Sequence, residues 1–221
     1  MSRPHLNRRQ LLGGAAALGL VDALRGGTLA QWMSSDAHAQ TTPRAPAPTR
    51  RWQNWSGLQQ ATPATWAAPA HEAELQQLLR RTRGEVRAVG AGHSFTALVP
   101  TDQTLVSLDR LHGIVSIDRA AMTVTAHAGT RIGALAKALD AQGLALRNQP
   151  DVDVQTLAGA IATGTHGTGA ALPALHDEVV AMRLVRPDGE VVEIDARRDP
   201  DLMAAARVSL GSLGLITRVT M

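Results

Sequence analysis

Two stretches of the chain carry hydrophobic residues at the three- and four-residue spacing of an amphipathic helix. In residues 72–83, Leu75, Leu78 and Leu79 share one face, and Gly84 follows where the helix would end. Residues 132–141 show the same spacing and are closed by a glycine two positions later. We predict helices at both places, and a third, short helix over residues 201–210.

Seven further segments are predicted as strands from their short hydrophobic runs. They comprise residues 86–89, 105–108, 113–118, 122–128, 179–185, 190–194 and 215–221. Residues 122–128 alternate hydrophobic and polar positions and are the expected hairpin partner of residues 113–118. The sequence Arg-Pro-Asp-Gly at residues 186–189 predicts a tight hairpin turn. This mixture indicates an α+β fold with one local βαβ-like unit, unlike the regular alternation of a doubly wound dinucleotide fold.

The positive charge of the chain is concentrated at its N-terminus. A net charge of +3 and a pI near 10.8 would by themselves suggest a nucleic-acid or anionic membrane partner. Residues 1–51, however, hold seven arginines against two aspartates, a balance of +5, whereas residues 52–221 have a balance of −2. The basic character belongs to the leader, so we expect no nucleic-acid partner.

Residues 1–39 have the organisation of an export signal. Arg8 and Arg9 precede a modestly apolar, Gly/Ala-rich stretch, and Ala37-His38-Ala39 supplies small residues before a cleavage point. The pattern resembles a twin-arginine signal and implies a periplasmic protein. The alternative is a membrane anchor, but the apolar run is shorter than the roughly 20 residues that span a bilayer. We expect no stable membrane span, and an extended, proline-rich linker over residues 40–51.

The segment Gly-Ala-Gly-His-Ser-Phe at residues 90–95 directly follows a predicted strand. Its two glycines allow a sharp turn that brings backbone N–H groups close to an anion. A histidine and a serine follow on the same loop. This combination suggests a pyrophosphate-containing cofactor that is bonded covalently to the protein. The alternative is an ordinary tight turn with a surface histidine.

A second small-residue segment, residues 156–169, contains four glycines, four threonines and one histidine. Such residues let a backbone lie against a ring system while donating hydrogen bonds. The alternative is a flexible Gly/Thr linker, but Leu157 and Ile161 stand at helical spacing inside the segment. Two such loops favour a nucleotide-type cofactor. The chain has no cysteine, which excludes disulfides, thiolate metal ligands and cysteine nucleophiles.

Three motifs in this order carry a family resemblance: GAGHSF, LAGAIATGTHGTG and SLGSLGLITRVT, which begin at residues 90, 157 and 209. Residues 52–221 resemble the FAD-binding (PCMH-type) domain of the vanillyl-alcohol oxidase family. Within that family they look most like aldonolactone oxidases, such as gulonolactone and arabinonolactone oxidases, and alditol oxidases. The resemblance implies FAD as the cofactor and an α+β fold of two subdomains.

The resemblance also implies a set of cofactor-binding residues. They are Gly90, Ala91, Gly92, His93, Ser94, Phe95, Gly159, Gly164, Thr165, His166, Gly169, Gly214 and Ile216. The backbone of the first loop would hold the pyrophosphate, and the second loop would line the flavin or its ribityl and phosphate chain. Ile216 would contact the adenine side, with Gly211 and Gly214 giving close approach. For His166 a packing or hydrogen-bonding role is the open alternative.

His93 stands where the family often bonds a histidine to the 8α methyl group of the flavin. The alternative is a histidine that hydrogen-bonds near the phosphates of non-covalent FAD. No metal site is predicted, because Asp151 and Asp153 lack further ligands at suitable spacing and are expected in a solvated loop.

The resemblance implies an exported flavin-dependent oxidoreductase that acts on a sugar lactone, with dioxygen or another electron acceptor. An alditol or polyol oxidase and a catalytically silent FAD-binding module are the alternatives. Relatives continue into a C-terminal cap domain that supplies substrate contacts. The chain is therefore expected to lack this cap, as a fragment, a truncated product or the partner of a separate cap chain, and to show no appreciable turnover alone.

Overall fold

The computed structural model describes residues 50–221, which form two sheets of different construction and one short two-stranded pair. The helices are α1 (Glu72–Arg81), α2 (Ile132–Asp140), α3 (Leu157–Ala162) and α4 (Pro200–Arg207), with a 3-10 turn at Leu175–Glu178. The strands are β1 (Trp52–Gln53), β2 (Gln60–Ala61), β3 (Thr65–Ala67), β4 (Val86–Val89), β5 (Thr104–Ser107), β6 (Ile114–Asp118), β7 (Thr123–His127), β8 (Ala181–Val185), β9 (Val191–Asp195) and β10 (Leu215–Thr220). The α+β class predicted from the sequence is confirmed.

The first sheet is parallel and has three strands in the order β3-β5-β4. All four residues of the central strand β5 are buried. Helix α1 connects β3 to β4 and buries Leu75 and Leu79, two of the hydrophobic residues that predicted it. Since neighbouring parallel strands end at the same edge, the residues that follow β4 and β5 emerge side by side. That edge is where the glycine loop of residues 90–95 begins.

The second sheet is antiparallel, with the order β6-β7-β10-β8-β9. The two hairpins predicted from the sequence are confirmed as the pairs β6–β7 and β8–β9. Arg186 N–H donates to the carbonyl of Glu190 at 2.8 Å and closes the predicted turn. The last strand, β10, inserts between the hairpins and pairs with β7 and β8. Its central position explains why Leu215, Ile216 and Val219 are buried.

One aliphatic core joins the two sheets. Buried side chains from α1 and β5 belong to the same cluster as those from α2, α3 and β10; among them are Leu79, Val106, Leu135, Ile161 and Val219. A smaller cluster packs Trp52 of β1 against Val89 of β4 and Leu105 of β5. Because both clusters extend beneath β4 and β5, they give the glycine loop a rigid base.

Some boundaries differ from the predictions for local reasons. Helix α1 ends at Arg81, since Thr82 is extended and its N–H and hydroxyl both donate to the carbonyl of Leu78. Helix α4 ends at Arg207, three residues before the predicted end, because the chain then turns and Leu210 adopts φ +52°. Strands β1, β2 and β3 were not predicted, since segments of two or three residues show no periodicity.

The predicted export signal of residues 1–39 and almost all of the linker of residues 40–51 lie outside the described residues. Within residues 50–221, no helix combines the length and hydropathy needed to cross a membrane.

An ion pair connects α1 to the antiparallel sheet. Arg183 of β8 donates from Nε and Nη2 to the Glu72 carboxylate at 2.9 and 2.8 Å, and Thr217 of β10 donates its hydroxyl at 2.6 Å. Only 16 % of the Glu72 side chain is exposed. The hydrogen bond from Arg183 lowers the pKa of Glu72 below its ordinary 4.5, although burial acts in the opposite direction. Glu72 is therefore ionised at neutral pH and stabilises the contact between α1 and the antiparallel sheet.

Replacing Glu72 by Gln is expected to lower the free energy of unfolding by about 2 kcal/mol at neutral pH, because Arg183 loses a partly buried charged partner. Since folding lowers the Glu72 pKa, this contribution is complete above pH 4.5 and is lost as pH falls through the folded value. Urea unfolding across that range measures the effect. Glu85→Gln, which removes the charge from an exposed pair with Arg87 and leaves an amide oxygen to accept the Thr101 hydroxyl, is the control and should cost less. An equal loss of unfolding free energy in both variants would contradict a stabilising role of the Glu72–Arg183 pair.

Candidate cofactor site

A cleft of about 490 Å³ lies where the ends of both sheets meet. Most of its wall comes from three segments, residues 86–94, 155–163 and 209–216. Leu108 after β5, with Ala128 and Gly129 after β7, completes the part nearest the core. The two glycine-rich motifs and the third motif, which are far apart in the sequence, therefore contribute to one cavity.

The first loop offers a set of free donors to this cleft. Among the hydrogen bonds of residues 50–221, none uses the backbone N–H of Ala91, Gly92, His93 or Ser94. Gly92 has φ +70°, a left-handed conformation that a glycine adopts without steric cost. Successive N–H groups around such a residue form a concave anion-binding nest. Four unused donors next to a left-handed glycine suit the binding of a phosphate group.

The first and second loops are in direct contact. A Cβ added to Gly90 would lie 2.2 Å from the Thr156 hydroxyl oxygen. That hydroxyl is already engaged, since it accepts a hydrogen bond from the N–H of Gly159 at 3.3 Å and caps the start of α3. Gly90 therefore allows the two loops to approach closely, and the cap of α3 sets their separation.

The third motif forms the remaining wall with an unusual backbone. Leu210 and Gly211 are both left-handed, with φ values of +52° and +83°. Gly214 is packed against β8, where a Cβ would lie 2.5 Å from the carbonyl oxygen of Val185. Ile216, two residues further on, is buried and also lines the cleft. The turn of residues 209–214 thus brings β10 to the cleft wall.

The cleft carries very little charge. Arg87 is the only Lys, Arg, Asp or Glu residue among its described lining residues, and it forms an ion pair with Glu85 at 2.8 Å. A diphosphate in this cleft would therefore be held by backbone N–H groups and hydroxyls, with little help from basic side chains.

Eight of the thirteen residues predicted from the sequence line the cleft. They are Gly90, Ala91, Gly92, His93, Ser94, Gly159, Gly214 and Ile216. The other five, Phe95, Gly164, Thr165, His166 and Gly169, are not part of its lining in the described chain.

The chain turns away from the cleft after Thr163. This turn explains why four of the five residues, Gly164, Thr165, His166 and Gly169, do not line the cleft. Thr165 N–H donates to the carbonyl of Ala160 at 2.9 Å, and the His166 ring nitrogen Nδ1 interacts with the carbonyl of Gly167 at 2.9 Å. Phe95 is 61 % exposed. A cofactor role for these residues stays a prediction.

Sequence reasoning missed several residues that shape the site. A Cβ on Gly129 would lie 2.0 Å from the Leu108 carbonyl oxygen, so this glycine lets β7 approach β5. A threonine directly before a hydrophobic run is a helix-capping signal, so the role of Thr156 was readable from the sequence. Asn54 and Trp55, which contact the first loop, gave no such signal because they lie between strands of two residues.

No group of three or more His, Cys, Asp or Glu side chains within residues 50–221 is arranged to hold a metal ion. Asp151 and Asp153, considered above, are exposed in the loop before α3.

The family model for the FAD binding domain matches residues 63–195. The chain belongs to this family. The match covers the first glycine loop, the segment around α3 and the hairpin β8–β9.

Curated relatives extend the likeness over most of the chain. L-gulono-1,4-lactone dehydrogenase of Mycobacterium tuberculosis (strain H37Rv) is 42 % identical over 173 residues, which is 77 % of this chain and 40 % of the relative. D-arabinono-1,4-lactone oxidase of Eremothecium gossypii is 35 % identical, over 76 % of this chain and 33 % of the relative. L-gulonolactone oxidase of Mus musculus is 34 % identical, over 77 % of this chain and 40 % of the relative. The chain spans at most about two fifths of the length of these relatives.

Solved structures show the same fold. Cholesterol oxidase from B. sterolicum superposes with a TM-score of 0.66 at 25 % identity, over 82 % of this chain and 38 % of the other. Alkyldihydroxyacetonephosphate synthase superposes with a TM-score of 0.65 at 23 % identity, over 75 % of this chain and 32 % of the other. The described residues therefore have the two-subdomain fold of PCMH-type FAD-binding domains.

The residues of the cleft fit FAD by their chemistry. The four N–H groups of residues 91–94 are unpaired donors for a diphosphate. Gly90 and Gly129 keep the wall free of side chains where a Cβ would meet neighbouring atoms. The low charge and apolar stretches suit a flavin ring better than a strongly ionic ligand. The assignment of the cofactor class therefore rests on geometry as well as on family membership.

Proposed function

We propose that this chain is the FAD-binding part of an oxidoreductase that oxidises a sugar lactone, such as an aldono-1,4-lactone, with dioxygen or another electron acceptor. The observation that carries the proposal is the nest of free N–H groups in residues 91–94 at the edge of a weakly charged cleft. The relatives are named for oxidation or dehydrogenation of gulono- and arabinono-lactones, and these names supply the substrate class.

In this proposal each wall of the cleft has a separate task. FAD, when bound, supplies the ring that accepts a hydride. The backbone of residues 91–94 binds the diphosphate. The Ser94 hydroxyl, which donates to the carbonyl of Thr96 at 3.4 Å, adds a donor after rotating towards the phosphate. Gly159 and the residues around α3 exclude water from one side of the cleft. Gly214 and Ile216 close the opposite wall near β10.

We further propose that His93 bonds covalently to the 8α methyl group of the flavin. His93 lines the cleft beside the free backbone N–H groups of residues 91–94. A neutral imidazole nitrogen is a competent nucleophile. One methyl C–H bond and the ring N–H bond break and a C–N bond forms, while two protons and two electrons pass to dioxygen, which becomes hydrogen peroxide.

Two parts of the proposal concern the protein in its setting. A cap domain, on the same or a separate chain, would cover the substrate, because the chain spans at most about two fifths of its relatives.

The leader would direct export of the folded, flavin-loaded protein to the periplasm. N-terminal sequencing of exported protein should then begin at Gln40, and an intact Met1 would contradict this.

Anaerobic reduction of the bound flavin tests the proposed activity. We expect L-gulono- or D-arabinono-1,4-lactone to bleach the flavin absorbance slowly, over minutes, while alditols leave it oxidised. Substrate orientation lowers a barrier by roughly 7–11 kcal/mol. For residues 52–221 tested on their own, losing half of that slows the reaction about 10³-fold. Dithionite is the control for a reducible flavin.

Each other outcome of this experiment has a definite meaning. Bleaching by alditols and not by lactones would favour the alditol oxidase alternative. Bleaching by dithionite alone would favour a silent FAD-binding module. Purified protein without flavin absorbance would contradict the proposal at its first step.

A further inference from the structure

The connection between β1 and β2 lies directly against the first glycine loop. Trp55 N–H donates to the carbonyl of Gly92 at 2.9 Å, and the Asn54 side-chain amide donates to the carbonyl of Ser94 at 3.0 Å. The Gln59 side-chain amide donates to the carbonyl of Phe95 at 3.2 Å. All three contacts use carbonyl groups of the loop. The loop is therefore fixed from its acceptor side, and its N–H groups stay available to the cleft.

Asn54 is the rigid centre of this connection. Asn54 is 5 % exposed, and its side-chain amide both donates and accepts hydrogen bonds. Its Nδ2 donates to the Ser56 hydroxyl at 3.0 Å, and its Oδ1 accepts the N–H of Gln59 at 3.0 Å. Trp52, two residues earlier, is 7 % exposed and anchors β1 in the smaller core cluster. The adjacent Trp55 backbone is thus held in a defined place.

The indole of Trp55 stacks on the imidazole of His93. The ring centroids are 5.1 Å apart, and the planes are inclined by 19°. Phe95 packs perpendicular to the same indole, with centroids 5.7 Å apart at 88°. Trp55 is nevertheless 63 % exposed, so burial does not explain its placement. Stacking restricts rotation of the His93 ring and leaves its nitrogens at the uncovered ring edge.

We propose that Trp55 is a positioning residue for the attachment of the flavin to His93. The stacked indole holds the imidazole plane in one orientation, so that an in-plane nitrogen lone pair faces the cleft. This role rests on the proposed covalent bond and uses the bond changes given above, with dioxygen as oxidant. The family model begins at residue 63, so the connection that carries Trp55 lies outside the matched segment.

The experiment follows attachment directly. Apo-protein, produced under riboflavin limitation, is mixed with FAD in air, and covalent flavin is measured over time by fluorescence in denaturing gels. Trp55→Leu keeps apolar bulk but removes the aromatic face, and it should slow attachment about three- to ten-fold. Trp55→Phe restores an aromatic face and should return the rate to near that of the wild type. Non-covalent FAD binding should be unchanged in both variants.

A second measurement does not depend on the flavin. In wild-type apo-protein the His93 ring protons lie over the indole, so their NMR resonances should be shifted upfield. The shift should disappear in Trp55→Leu and persist in part in Trp55→Phe. Leu58→Ala, an exposed position of the same connection, is the control and should change neither readout.

Three results would overturn the proposal. Attachment by Trp55→Leu at the wild-type rate would contradict it while leaving the covalent bond standing. A parallel loss of attachment and of non-covalent FAD binding would show that Trp55 only maintains the loop. Wild-type protein that releases all its FAD on denaturation would refute the covalent bond itself, and with it any role of Trp55 in forming that bond. This last outcome is seen before any variant is compared.

Discussion

Replacing His93 by Ala is expected to abolish covalent flavin completely while leaving FAD bound to the native protein. The covalent bond requires the imidazole nitrogen, which alanine lacks. The diphosphate contacts, by contrast, come from the backbone N–H groups of residues 91–94, which the substitution leaves in place. Acid precipitation should release all FAD from the variant into the supernatant. The wild-type protein should keep its flavin through precipitation and show fluorescence in a denaturing gel.

His166→Ala is the matched control for this experiment. His166 also lies in a glycine-rich segment, but it is exposed and does not line the cleft. Covalent flavin should therefore survive this substitution. Loss of covalent flavin in His166→Ala but not in His93→Ala would show that the flavin is bonded to His166 and that the proposed bond to His93 is wrong. Release of FAD from the denatured wild-type protein would leave binding intact and disprove covalent attachment.

The sequence predicted the elements whose hydrophobic pattern was long enough to show a period. The helix α1 follows from the spacing of Leu75, Leu78 and Leu79, and both hairpins of the antiparallel sheet follow from alternation and from one turn. The order of strands did not follow. The pairing of β10 with β7 and β8 joins segments that are far apart in the chain, and no local pattern encodes such a partner.

The candidate site was predictable where its residues form consecutive motifs. Gly90, His93 and Gly159 belong to strings that recur in the family, and they line the cleft. The residues that hold these motifs in place were not predictable from the sequence. Trp55 lies about forty residues before His93 in sequence, and its stacking becomes visible only once β1 and β2 have paired. Long-range supports of this kind depend on tertiary contacts, so a sequence pattern identifies the loop but not what holds it.

Replacing Gly90 by Ala is expected to weaken FAD binding about 10- to 100-fold, since overpacking of this kind costs roughly 1–3 kcal/mol. The Gly90 backbone is not left-handed, so its conformation suits alanine, and the cost comes from the new methyl group alone. That methyl would lie 2.2 Å from the Thr156 hydroxyl oxygen, which is held by its hydrogen bond from Gly159. The two loops must then separate. Fluorescence titration with FAD, in a His93→Ala background that prevents covalent attachment, measures the loss.

A second substitution shows whether crowding is the cause. Gly90→Ala combined with Thr156→Ala removes the oxygen and should recover most of the affinity, although loss of the cap on α3 costs about 1 kcal/mol of stability. Gly90→Ala combined with Thr156→Ser keeps the oxygen and should recover none. Gly143→Ala, at a left-handed glycine with open space around it, controls for general destabilisation and should leave FAD affinity unchanged. Equal recovery by the serine and alanine variants would show that the Gly90–Thr156 contact does not set the separation of the loops.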